Sequence, residues 1–79
     1  IKLVKEMHDM MPITLAKAGE LVTVRKITGN DAIRQHLAEL GFVVDANVKV
    51  VSAYEGNVIL QVHGSGIALN ETMARQIMI

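Results

Sequence analysis

Val48-Lys49-Val50-Val51-Ser52-Ala53-Tyr54-Glu55-Gly56-Asn57-Val58-Ile59-Leu60-Gln61-Val62 is the stretch on which the fold turns. Two runs rich in β-branched residues flank Glu55-Gly56-Asn57, a turn tripeptide with glycine at its centre. This pattern predicts a β-hairpin, with Val48–Val51 continuing toward Tyr54 as one strand and Val58–Val62 as the return. Downstream, His63-Gly64-Ser65-Gly66 predicts a second turn and Ile67–Leu69 a short strand. Asn70 suits the cap of a helical turn over Glu71–Gln76, and Ile77–Ile79 closes the chain as a last strand.

Upstream, the period changes. Ile33, Leu37 and Leu40 are spaced as one apolar stripe of a helix over Ala32–Leu40. Arg34, Gln35, His36 and Glu39 populate its other face, and Asn30 or Asp31 caps its start. Gly41 sits where a left-handed C-terminal cap is needed. Phe42–Val44 reads as a strand entry, with a turn at Asp45-Ala46. Leu21–Ile27 reads as the first long strand, after a lead-in Leu15–Gly19 that ends in a turn glycine. Residues 1–11 are mixed and charged and read as a loose leader, native or left over from expression. The compact domain then spans residues 12–79. The expected fold is mainly β: a small closed barrel of about five strands, with one short helix and a helical turn before the last strand. The last strand is expected to pair near the first.

Composition narrows the function. The chain has 79 residues, 51% of them apolar, so one small, well-filled core is affordable and a typical enzyme cleft is not. Eight Lys/Arg balance eight Asp/Glu, which argues against binding nucleic acid through phosphate neutralisation. One Phe and one Tyr leave almost no platform for base stacking. There are no cysteines, so disulfides and thiolate sites are excluded. No apolar run is long enough for a membrane helix, no signal peptide is evident, and a cytoplasmic protein without membrane insertion is expected.

Candidate chemistry is sparse. A metal site needs convergent ligands, and His8, His36 and His63 fall one to an element. Glu39 follows His36 by three residues, so the two could share a helix face and hold an ion weakly. His8 with Met7, Met10 and Met11 is a soft-ligand cluster within the leader. Ser52 and Ser65 lack the context of an activated nucleophile, and His63–Gly66 reads as a turn. No cofactor and no catalysis are expected. Phe42 fits either a core plug or an exposed anchor, whereas Tyr54 beside a hairpin turn fits partner recognition. The expected partner-facing set is Leu40, Phe42, Tyr54, His36 and Glu39.

Leu37-Ala38-Glu39-Leu40-Gly41-Phe42 resembles the central signature of FeoA domains. The matches around it come in order: Leu15 with Gly19, Val22 and Val24 leading into Ile27, Val48–Val51, Gly56–Ile59, Ile67–Leu69, and Ala74 with Ile77 and Ile79. Gly19, Leu37, Gly41 and Ala74 are the structural positions that the resemblance marks. Asp45-Ala46 stands where the family often has Pro-Gly, so that turn must close without a glycine. The resemblance implies an SH3-like β-barrel and a cytoplasmic accessory of bacterial ferrous iron uptake. Such a protein binds or regulates FeoB, a membrane permease with a GTPase-like domain. A weak homodimer is the other association expected. The same domain also closes iron- and manganese-dependent repressors of the DtxR type, which gives a second reading, disfavoured by the lack of a helix-turn-helix. A weak direct iron carrier using His36 is a third.

Overall fold

The computed structural model describes residues 10–79. Its strands are β1 (Leu21–Thr23), β2 (Lys26–Ile27), β3 (Asn47–Tyr54), β4 (Asn57–Val62), β5 (Ser65–Leu69) and β6 (Ile77–Met78). Helix α1 covers Asp31–Glu39, the helical turn α2 covers Glu71–Ala74, and a 3-10 turn covers Ile13–Leu15. The fold is mainly β and of the expected SH3-like type, with six strands that do not form one closed hydrogen-bonded barrel. Its hydrogen bonds run in two ladders, a sheet ordered β1-β3-β4-β5 and a pair β2-β6, all antiparallel.

The hairpin forms as its alternation requires. Val48, Val50, Val58, Leu60 and Val62 point inward and are buried, while the residues between them face out. Both hairpin loops are shorter than the sequence suggests. Tyr54 pairs with Asn57 and Val62 with Ser65, leaving the two-residue loops Glu55-Gly56 and His63-Gly64. All four loop residues have positive φ, the conformation that matches strand twist in a tight hairpin. Gly66 therefore belongs to β5 and not to the turn. Val51 is an extra residue in β3, because the register slips between Val50 and Ser52.

The first long strand is corrected to two. At Val24-Arg25 the chain bends out of one ladder and into the other. The Val24 N–H donates to the Ala46 carbonyl at 2.9 Å, and the Arg25 N–H to the Met78 carbonyl at 2.7 Å. A uniform β-branched run hides such a bend, since both halves are extended. The last strand does pair with the first run, through Lys26–Met78 and Ile27–Ile77. Met11, assigned above to the leader, is already in this framework: it exchanges backbone hydrogen bonds with Ile79 at 2.9 and 2.8 Å. Residues 1–9, with His8 and Met7, lie outside the described residues.

Phe42–Val44 is not a strand. Phe42 plugs the core, and Val43–Ala46 form a β-turn in which the Ala46 N–H donates to the Val43 carbonyl at 3.0 Å. Asp45 takes the left-handed conformation itself (φ 76°), which Asp tolerates better than most residues. That is how the turn closes without a glycine. Fully burying Phe42 and Leu37 is worth about 1.5–3 kcal/mol each.

Candidate functional site

The expected partner-facing set does not come together. Helix α1 starts at Asn30, whose side chain accepts from the Ile33 N–H at 2.9 Å. Leu37 is its one fully buried residue, and Ile33 and Leu40 are half-buried against the core. His36 and Glu39 are exposed on the opposite side, where Glu39 accepts from Gln35 at 3.5 Å. Gly41 ends the helix at φ 106° against the β4–β5 turn: a Cβ built there would lie 3.0 Å from His63 Cδ2. Phe42 is a correction: it is completely buried, so its ring reaches no partner.

Tyr54 lies at the other end of the sheet. Five residue steps along β4 separate its partner Asn57 from Val62, about 17 Å of strand. The tip holding Tyr54 is tied to α2, since Asn57 Oδ1 accepts from the Glu71 N–H at 3.0 Å. Gly56 must be small there, because a Cβ would stand 2.7 Å from Glu71 Cγ. Tyr54 is exposed, as expected, but its neighbours are sheet residues and not the helix end.

The sheet face that Tyr54 shares is a surface that sequence reasoning missed. On the outer face of the four-stranded sheet, Leu21 is 80% exposed, Tyr54 72%, Val51 48% and Ile59 44%. Register places Leu21 beside Lys49, Lys49 beside Gln61, and Gln61 beside Gly66; the next row pairs Ser52 with Ile59 and Ile59 with Ala68. An open hollow lies among Gly19, Lys49, Val51, Ile59, Gln61 and Gly66. The phase of the strand alternation could have found most of this face. Once Val50 and Leu60 are assigned inward, Lys49, Ile59 and Gln61 must face out. Val51 faces out by the same alternation; Ser52 and Tyr54 face out only because the bulge shifts the phase after Val50, which no local signal announces.

Chemistry for turnover is thin. Among the described residues no three His, Asp or Glu side chains are grouped to hold a metal. The one ion pair among them is Arg34–Asp31 on the helix surface, at 2.7 Å. Among the described residues no buried polar side chain is left without a partner. No helix among the described residues is long and apolar enough to cross a membrane. The outer sheet face thus offers apolar contact and a single cation.

Comparison with known proteins agrees with the resemblance in the sequence. The family model described as FeoA domain matches residues 11–79. A protein of Methanocaldococcus jannaschii provisionally named Fe(2+) transport protein A is 36% identical over 70 residues, covering 89% of this chain and 85% of that protein. The crystal structure of an iron uptake regulatory protein (FeoA) superposes with a TM-score of 0.81 at 24% identity, covering 87% of this chain and 93% of that one. A manganese-dependent transcriptional repressor in complex with manganese superposes at 0.82 and 18% identity, over 89% of this chain but 36% of the repressor. At these identities the two structures share the fold.

Proposed function

Because the chain belongs to the FeoA domain family, we propose that it is an accessory module of ferrous iron uptake whose partner is the cytoplasmic part of a FeoB-type membrane transporter. The observation that carries this reading is the family match over residues 11–79, together with the relative named for Fe(2+) transport. The surface supports a role in binding and not in turnover. Among the described residues Ser52 and Ser65 make no hydrogen bond to a histidine, and large apolar side chains stand in solvent on one sheet face. An interface gains most of its energy from a few such side chains at a desolvated centre. The test is a titration of this chain with the soluble domain of the transporter, run beside a thermal melt. Saturable binding is expected, and its absence at high protein concentration overturns the reading.

A carrier role predicts something different. With no cysteine and one exposed His–Glu combination on α1, the donors of this chain suit at most a weak site. Calorimetric titration with Fe²⁺ is expected to give no stoichiometric site of micromolar or tighter affinity; finding one would favour the carrier. The likeness to manganese-dependent repressors is one of fold, and a coding sequence that continues upstream into a winged helix would decide for a repressor domain.

A further inference from the structure

Gly66 is a glycine that neither backbone nor packing demands. Its φ is not positive, and a Cβ built on it meets nothing within 4 Å. Its neighbour across the hollow, Gly19, is equally open. A glycine inside a strand usually costs stability and often marks a close approach by another molecule. Val51 and Ile59 line the same hollow, and Leu21 and Tyr54 stand farther out on the same sheet face, all four exposed. Lys49 is the one charged side chain among the outward positions of the four strands, and it has no ion-pair partner among the described residues.

We propose that this face docks an extended apolar segment of the transporter's cytoplasmic part. One large apolar side chain of the segment fills the hollow over Gly66, and a carboxylate beside it pairs with Lys49. The proposal rests on the reading above and adds to it the surface and the chemistry of the partner. Charge selects this occupant over a second copy of the chain. A two-fold pairing centred on the hollow brings the Lys49 of both copies into one patch, with no carboxylate at the outward strand positions to relieve them. A partner carboxylate supplies the missing charge, and the apolar rim excludes water from the pair.

The experiment titrates the full chain with the transporter's soluble domain and with short overlapping peptides that tile its cytoplasmic part. The variants are Gly66→Leu, which fills the hollow, Lys49→Glu, and a control on the helix, His36→Ala with Glu39→Ala. All these positions are exposed, so the melts should stay near the parent's. Gly66→Leu and Lys49→Glu should each weaken binding by roughly tenfold or more, and the helix control should bind as the parent does. The responsive peptide should be apolar with an Asp or Glu. Exchanging that acid for Lys should restore affinity toward Lys49→Glu, the more so at low salt. If the parent binds the domain while both sheet variants bind equally well, the docking face is wrong and the transporter reading stands. If the parent binds neither domain nor peptides, both fall.

Discussion

The segment Leu37–Phe42 and the outer face of the four-stranded sheet both carry large apolar side chains. In the first, Leu37 and Phe42 are sealed in the core; in the second, Leu21 and Tyr54 stand in water. The difference lies in what holds each residue. Leu37 is turned inward by the helical period, and Phe42 follows a glycine cap that reverses the chain onto the barrel. The outer sheet residues are fixed by alternation and register: Lys49, Val51 and Ile59 face out because Val48, Val50 and Leu60 face in, Leu21 because it pairs with Lys49, and Tyr54 because the bulge after Val50 shifts the phase. Apolar character at the helix end therefore serves stability, and on the sheet face it is free to serve binding. Substitutions in the two regions should separate along that line.

The largest expected effect is Phe42→Ala. Phe42 is the largest of the fully buried side chains, and removing it should cost about 3–5 kcal/mol, most of what a domain of this size has to lose. Urea unfolding should show a shifted midpoint or no folded baseline. A melt like the parent's would mean that the ring is not a plug, and the contrast between the regions would collapse. Leu37→Ala should follow at about 2–4 kcal/mol, from lost burial and the residual cavity.

Gly41 sharpens the same contrast by separating backbone from packing. At φ 106° any side chain is strained, so Gly41→Ala should cost about 1–3 kcal/mol. The nearest obstacle, His63 Cδ2, belongs to an exposed side chain that can swing away. Adding His63→Ala should therefore recover little of the loss in a double-mutant cycle. Substantial recovery would put the cost in the clash and not in the cap. Asn30→Ala should cost about 1 kcal/mol, the ordinary value of a helix N-cap whose side chain accepts a backbone N–H.

Much of this architecture was legible in the sequence because it is locally encoded. The hairpin and the helix with Asn30 before it and Gly41 after it follow from period and turn chemistry; the pairing of the last strand with the first run was an inference from the architecture of a small barrel. What was not legible depends on long-range pairing. The bend at Val24-Arg25 is set by two different partners, Ala46 and Met78, far along the chain. Phe42–Val44 has strand-like residues but no strand to lie beside, so it became a plug and a turn. The candidate site was read along the chain and not across it. Tyr54 was grouped with the helix end, and the residues that share its face, on β1, β3 and β4, were unmarked. Cross-strand register brings them together, and a one-residue bulge turns Tyr54 onto their face.

The smallest expected effect on stability is the most informative about the sheet face. Tyr54 is largely exposed at the outward position before the β3–β4 loop, and its hydroxyl makes no hydrogen bond among the described residues. Tyr54→Ala should change unfolding free energy by no more than about 0.5 kcal/mol, as surface substitutions do. If the ring is an anchor, the same change should weaken binding of the transporter's soluble domain by roughly 1–2 kcal/mol. The two readings come from one variant, a melt and a titration, and they should diverge: flat in the first, shifted in the second. A marked loss of stability would show that the ring covers the hairpin tip and belongs with Phe42 as a structural residue. Flat results in both would confine the anchor to the hollow around Gly66 and Lys49, leaving the tip as solvated surface.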